Sequence, residues 1–594
     1  MQTEKPKRDV LSGSRTLTYG LALIVPLLLL ATMTHLIPFS NVISTSMTSY
    51  NIIGDSEPIG MENYERLLQD KRFADAIGNT IPYMLQRALI FAIVPLLMGG
   101  LIGLQARGGR LVNRALLSVL AVLIVPVVLS VIWQIYWSPN WGIEPSPIFN
   151  EDLSFMSPDS APVLLQWLDM LLTITTAAVV GGTIFIAVMR GQQREMTGVV
   201  VGFIGVTVAG GSGALMFDLP FVLTQGGPGN STATYMLEVY LAGFQQFRIG
   251  AASAQATVLG MGVLVVGLII GVIVVASNLR VVQVSPAQQD DGNNLLSVAS
   301  VPLILLAILL LGGYVVWALT FPSQSEQSLF ELAPITQGLV NSLSPLFAIW
   351  FIQLPIAFMA GMGLGFYRPF GRIGSGILFI VLLAIMLIPT EVLIFEWFTM
   401  SRDLGVVNDT SMLGYPWMVN GFTLLAFYVF FNGAHYHYIN NIESGMSQTK
   451  AFSKRVMIPA ILLSIAIGVV LSFISMQSML WALVSQFAQE NMTFVTQLSV
   501  LMSISVTDAG SIMQLAGMYI IGVGVVFAVF FVLVQVFILE RFALDTGAPM
   551  QMASDDMMYI DAPDIDSSGD SSFETTPDND MTDNSSVDTT SDID

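Results

Sequence analysis

At 594 residues, 54% of them apolar and only 11% charged, with a mean hydropathy of +0.71, the chain does not have the composition of a soluble globular protein. The net charge of −20 is concentrated at one end, where all thirteen charged residues from Asp555 to Asp594 are acidic. With no cysteine, disulfides, thiolate metal centres and cysteine nucleophiles are excluded, and with three histidines no metal site or cofactor is expected.

Met1 to Arg15 is short and basic. The apolar run Leu17–Ile37 is longer than a signal-peptide core and lacks a clear small-residue cleavage site, so it reads as an uncleaved anchor. A polar segment follows, with Met61–Ile81 patterned as a short surface helix. Apolar runs of about 20 residues, the length that crosses a hydrocarbon core, then recur near Pro82–Gln105, Leu111–Trp137, Leu164–Met189, Thr197–Leu219 and Ala252–Ala276. Asn278–Asn294 is a polar linker. Six more runs lie near Leu296–Leu319, Pro345–Phe366, Ile373–Met400, Met412–Phe431, Ile461–Val484 and Leu515–Leu539, before an Asp-, Ser- and Thr-rich tail expected to be disordered.

The expected fold is therefore all-α and polytopic, with about twelve spans in two parallel six-helix halves. Its expected divisions are an N-terminal segment 1–16, a first half 17–278, a linker 279–295, a second half 296–545 and an acidic tail 546–594. With the N-terminus placed inside, sixteen of the 22 Lys and Arg fall on inner segments and six on outer ones. That bias puts both termini in the cytoplasm of a multi-pass plasma-membrane protein. The halves also share an order of features. Ile77-Gly78-Asn79-Thr80 and Leu339-Val340-Asn341-Ser342 each precede a span, where a short polar side chain is expected to cap the helix. Basic inner turns then follow at Ala106–Arg110 and Tyr367–Arg372.

One stretch stands apart. FDLPFVLTQGGPGNSTATYMLEVYLAGFQQFRIGAASA, from Phe217 to Ala254, joins the fifth and sixth runs through the tight reversal Gly226-Gly227-Pro228-Gly229. Over its whole length it resembles the segment before the last helix of sugar-type permease subunits of binding-protein-dependent ABC importers (maltose/glycerol-phosphate type). NYERLLQDKRFADAIGNTI and WQIYWSPNWG fit the same subunit. LVNSL, YRPFGR, MLIPTEVLIFEWF and Leu404–Thr410 resemble the companion subunit, so the likeness implies two permease halves fused in one chain.

The resemblance implies partners: separate ABC ATPase subunits inside, an extracellular solute-binding protein that meets Gly226, Gly227, Pro228 and Gly229, and membrane lipid, with no nucleic acid. The chain itself is not expected to be an enzyme, and it has no phosphate-binding loop of the G-x-x-x-x-G-K-[ST] type. The family's ATPase-docking loop has a worn counterpart at Ile439–Pro459. Glu443, Gly445, Lys450, Phe452, Lys454, Arg455 and Pro459 are its candidate contacts. In the first half only Arg190–Met196 joins the two spans, too few residues for a docking helix.

Polar side chains inside spans are costly and point to function. Glu391 and Glu396, close to Pro389, read either as pathway lining or as groups snorkelling to the interface, and Asp218 beside Pro220 reads as interfacial. Gln477, Trp481 and Gln486 are placed to stack on and hydrogen-bond a sugar, with an interface anchor the competing role for Trp481. His435 and His437 read as a pair at a helix end. The expected function is the translocation pathway of an importer for a carbohydrate or similar polar solute. The alternatives are a permease-derived scaffold or sensor without ATP coupling, and a secondary transporter, which requires coupling carboxylates deep in its spans.

Overall fold

An apolar run in hydrocarbon has no water to satisfy its amides, so each run closes its hydrogen bonds within a helix. A computed structural model of the chain describes residues 14–50, 56–137, 155, 157–284, 295–321, 334–504 and 509–547. Most of the linker and the acidic tail lie outside the described residues. Among the described residues nine helices are long and apolar enough to cross a membrane, and three bent helix pairs raise the number to twelve. The protein is an all-α polytopic membrane protein.

The first half contributes Thr16–Ser46, Lys71–Gly103, the pair Arg107–Val122 and Pro126–Ile135, Ala161–Met189, Arg194–Leu223 and Ile249–Ala276 as spans one to six. The second contributes Leu295–Thr320, Ile335–Tyr367, the pair Gly371–Met386 and Thr390–Asp403, the pair Thr410–Trp417 and Gly421–Glu443, Gln448–Ser475 and Gly510–Arg541 as spans seven to twelve. The third and ninth spans bend by 62° and 70° at their breaks, and the tenth by 45°. Proline explains the first two. Pro126 opens the second piece of span three and Pro389 caps that of span nine, where the missing N–H and the ring exclude a continuous helix.

The second, fourth and fifth spans pack on one another, as do the eighth, tenth and eleventh. The remaining spans cross over. The first and sixth lie against the ninth, and the seventh and twelfth lie against the third. The crossing contacts are close. A Cβ on Gly267 of span six would sit 2.8 Å from the Ala384 Cα of span nine, so hydrogen alone fits there. Polar contacts cross as well: Trp397 Nε1 donates to Thr34 O at 3.1 Å, and Gln105 Nε2 donates to Ser300 Oγ at 2.8 Å.

The segments leaving spans six and twelve meet. β1 (Arg280–Gln283) pairs antiparallel with β2 (Phe542–Asp545), with Arg280 opposite Asp545 and Gln283 opposite Phe542. This small sheet is a departure from the purely helical expectation. β1 lies along the end of span ten and β2 along the end of span four. Two glycines make that possible, because Gly433 lies against the Val281 carbonyl and Gly191 against the Leu544 carbonyl, leaving no room for a side chain at either place.

The Asn-Thr and Asn-Ser pairs do something other than open helices. The surface helix expected over Met61–Ile81 ends at Gln69, and a second helix, capped by Asp70, starts at Lys71 and runs on as span two, with Asn79 in its interior. Asn79 Nδ2 reaches across to the carbonyls of Asn230 and Ala233, both at 3.0 Å. Thr80 Oγ1 accepts from the Tyr235 N–H at 2.8 Å. The second half repeats this. Asn341 Nδ2 donates to Glu490 O at 2.7 Å and Met492 O at 3.1 Å, and Ser342 Oγ accepts from the Phe494 N–H at 3.1 Å.

Each pair thus clamps the loop that follows the fifth span of its own half. Losing the amide leaves two loop carbonyls unpaired, a cost of about 1–3 kcal/mol. Asn79→Ala and Asn341→Ala are each expected to lower the thermal unfolding midpoint of the detergent-purified chain. The larger drop is expected for Asn341, which is buried. Unchanged midpoints in both variants would show that the clamps carry no stability.

Candidate functional site

A cavity of about 600 Å³ lies between the two halves. Spans three, four and five supply Ile124, Pro126, Thr183, Phe217 and Asp218; spans nine, ten and twelve supply Thr390, Glu391, Trp397, Trp417, Asn420 and Gln535, and the segment after span eleven supplies Gln477 and Trp481. The broken spans make the space. Where the third and ninth helices turn at their prolines they leave the residues around each break facing the cavity, Ile124 and Pro126 on one side, Thr390 and Glu391 on the other.

Three of the four sequence-chosen pathway residues converge here. Glu391 lines the cavity, with its Oε2 accepting from Thr390 Oγ1 at 3.2 Å. Gln477 lines it beside Phe473, whose carbonyl takes its amide at 3.2 Å. Trp481 is buried rather than anchored at an interface. Its Nε1 donates to Met412 O at 2.7 Å and its ring meets Trp397 edge-on at 5.7 Å.

Gln486 belongs elsewhere. It is fully buried, with Nε2 donating to Asp409 O at 3.0 Å, and lies next to Asn408, whose Oδ1 accepts from the N–H groups of Phe487 and Ala488. Its work is to hold a loop. Glu396 also points away from the cavity, accepting from Thr45 Oγ1 of the first span at 3.1 Å.

Sequence reasoning placed Asp218 at an interface, yet it lines the cavity. The missed signal is its place as the first residue of the short helix Asp218–Leu223, which projects it past Phe217. A matching short helix, Leu480–Ser485, follows span eleven. The two helices separate the main cavity from a second one of about 420 Å³, lined by Phe221, Leu223 and Leu483 on their far sides and by Gly227 and Pro228. Gly227 and Pro228 of the turn therefore form part of the wall of this second cavity. Gly226 and Gly229 hold φ of +86° and +60°, values that a side chain disfavours, and Thr232 Oγ1 donates to Gly227 O at 2.7 Å.

Arg87, one of the six basic residues assigned to the outer side, sits inside span two. It forms a forked ion pair with Asp169 of span four, 2.6 Å at its shortest, and donates to Ser212 O at 2.9 Å. A larger charged cluster lies behind the cavity wall. Arg110, Arg114 and Arg190 surround Glu540 at 2.8, 3.2 and 3.7 Å, and all four are buried. Gln535 joins this cluster to the cavity: its Oε1 accepts from Arg114 at 3.0 Å and its Nε2 donates to Thr183 Oγ1 at 2.7 Å.

At the sheet end, the Ile439–Pro459 segment is continuous with the spans on both sides. Glu443 ends span ten, and Gly445 turns the chain at φ +88°. Gln448–Phe452 then runs through a π turn directly into Ile458–Ser475, with Pro459 in the first turn of the latter. Lys450, Lys454 and Arg455 are exposed. Phe452 packs inward on Phe366 and Tyr438, at 5.9 and 6.3 Å, so it supports the segment rather than presenting a contact.

In the first half a bare turn, Arg190–Gln193, joins spans four and five and is tied to β2, with Gln192–Met196 exposed. Gln193 N–H donates to Asp545 Oδ1 at 2.9 Å, Thr197 and Thr546 hydroxyls meet at 3.1 Å, and Arg190 donates to Phe542 O at 3.2 Å. His435 Nδ1 bonds to Phe366 O, and His437 Nε2 accepts from the Gln283 N–H. Among the described residues no group of three or more His, Cys, Asp or Glu is placed to hold a metal ion.

Comparison with known proteins agrees with this geometry. The probable ABC transporter permease protein y4oQ of Sinorhizobium fredii is 24% identical over 241 residues, covering 35% of this chain and 74% of its own length. The chain resembles ABC-transporter permeases. The sn-glycerol-3-phosphate transport system permease protein UgpA of Pectobacterium atrosepticum is likewise 24% identical over 271 residues, 41% of this chain and 90% of its own length. No family model matches. Both alignments take most of the relative and less than half of this permease-like chain.

The Glu540 cluster yields a direct test. Removing its carboxylate strands three buried guanidinium groups, which costs about 3–5 kcal/mol. Glu540→Ala is expected to abolish or strongly reduce recovery of folded protein in detergent. Replacing Arg110, Arg114, Arg190 and Glu540 together by apolar residues of similar size, which leaves no buried charge unpaired, should recover much of the loss. If Glu540→Ala alone behaves as wild type by size-exclusion profile and unfolding midpoint, the cluster contributes nothing to the fold.

Proposed function

We propose that the chain forms the whole translocation pathway of an ABC importer for a carbohydrate or similar polar solute, with two permease halves fused in one polypeptide. The observation that carries this reading is the cavity between the halves, polar where Glu391, Asp218, Asn420 and Gln477 meet and aromatic where Trp397, Trp417 and Trp481 meet. Hydroxyl-bearing rings are recognised by that combination of stacking faces and hydrogen-bonding groups. The twofold repetition of the asparagine clamp, the broken span and the short helix supports the fusion. The relatives' printed names support the permease role.

On this reading the Gly226–Gly229 face is extracellular and receives a solute-binding protein. Both termini and the β1–β2 sheet are cytoplasmic, and separate ATPase subunits dock on Glu443–Pro459. A single docking segment still reaches both halves. Gln283 Nε2 of β1 bonds Arg455 O at 2.6 Å, β1 pairs with β2, and β2 holds the Gln193 turn of the first half. The sheet then stands in for the absent first docking helix by tying that half to the one that is pulled.

The test is reconstitution of the chain with its ATPase and solute-binding protein in vesicles. ATP-dependent solute uptake is expected, and charge reversal at Lys450, Lys454 and Arg455 should abolish ATPase co-purification. Uptake driven by an ion gradient without ATP would overturn the reading.

One observation favours a second reading. Because only a short turn, held to β2 through the Gln193 N–H and Asp545, joins spans four and five, the first half offers no docking helix, as expected of a permease-derived scaffold or sensor. Stable assembly with partners, but no uptake under any energy source, would select that reading.

A further inference from the structure

Besides uncharged polar groups, the cavity presents two carboxylates, one from each half: Asp218 and Glu391. None of its lining residues is Lys, Arg or His. Among the described residues the Asp218 side chain forms no hydrogen bond, and the Glu391 carboxylate is met only by its own backbone N–H and its neighbour's hydroxyl. Both therefore face the cavity with acceptor capacity to spare.

The basic side chains nearby are committed elsewhere. Arg87 is held by Asp169 and Ser212. Arg110, Arg114 and Arg190 lie behind Gln535, gathered on Glu540. Positive charge is thus plentiful around the site and withheld from its surface.

Building on the proposed function, we propose that this cavity selects carbohydrates that lack acidic groups and rejects phosphorylated or carboxylated ones. A carboxylate takes two sugar hydroxyls side by side through charge-assisted bonds, and the tryptophan faces stack on the apolar side of the ring. A phosphate in the same place gives up its hydration with no cation to replace it and faces two like charges across a low-dielectric space. Neutralising one carboxyl leaves the repulsion of the other and supplies no cation, so the selection narrows but survives. One relative is named for glycerol 3-phosphate, an anion. The cavity of this chain carries the opposite preference.

The experiment uses the full chain in lipid nanodiscs without ATP or partners. Binding is read calorimetrically with matched probes: glucose and glucose 6-phosphate, glycerol and glycerol 3-phosphate, and maltose. Saturable binding of at least one uncharged probe is expected at millimolar concentration, with its phosphorylated counterpart weaker by about tenfold or more. Asp218→Asn and Glu391→Gln, which preserve shape, should narrow that gap by strengthening the phosphorylated probe.

Two results overturn the proposal: a phosphorylated probe binding as tightly as its uncharged counterpart, or no uncharged probe binding at all. ATP plays no part in the measurement. Discrimination that persists where uptake fails would locate the fault in ATPase coupling, and lost discrimination with intact uptake would locate it here.

Discussion

Proline in a membrane-spanning helix creates a deficit that the surroundings have to answer. At Pro126 and Pro389 the ladder of hydrogen bonds is interrupted, the helix axis swings through 62° in one span and 70° in the other, and the residues at each break are turned toward the space between the halves. Everything around the cavity follows from these two bends. Straight third and ninth spans would carry their inner faces past each other, and Thr390 and Glu391 would have no space to face.

The bends are held open by packing from the opposite half. Spans one and six brace span nine, and spans seven and twelve brace span three, through contacts as close as that of Gly267 on Ala384. Because bracing is exchanged, neither half keeps its cavity face without the other. The short helices Asp218–Leu223 and Leu480–Ser485 close the space at one end, supported by loops that Asn79 and Asn341 clamp in the same way. At the other end the β1–β2 pair joins the two exits.

The halves match in framework and differ in charge. Arg190 donates to the Phe542 carbonyl of β2, while Asn432 donates to the Leu279 carbonyl just before β1. The first of these contacts belongs to a network of three guanidinium groups and a carboxylate, and the second to one with no carboxylate, in which Asn432 donates to Asn278 and accepts from the Arg368 guanidinium at 2.6 Å. In the cavity the acid of the first half lies on a short helix and that of the second on a broken span. Equivalent scaffolds thus carry unequal side chains.

The sequence alone determined the fold class, because runs of apolar residues in hydrocarbon have only the helix available to them. It also determined the order of the spans though not their ends, the eleventh being expected near Ile461–Val484 and found at Gln448–Ser475. With that order came the resemblance to importer permeases carried by Phe217–Ala254 and the candidacy of Glu391, Gln477 and Trp481, since polar and aromatic residues in apolar runs are visible by contrast. Only the tertiary structure decided which of them share a cavity. Asp218 enters it and Gln486 does not, because a short helix turns the first inward while a loop carbonyl captures the second. The roles of Asn79 and Asn341, the exchange of spans and the concealed arginines were likewise set by contacts between residues far apart in the chain. Local pattern carries the periodicity of a helix but not the identity of the carbonyl, carboxylate or helix face that a side chain will meet.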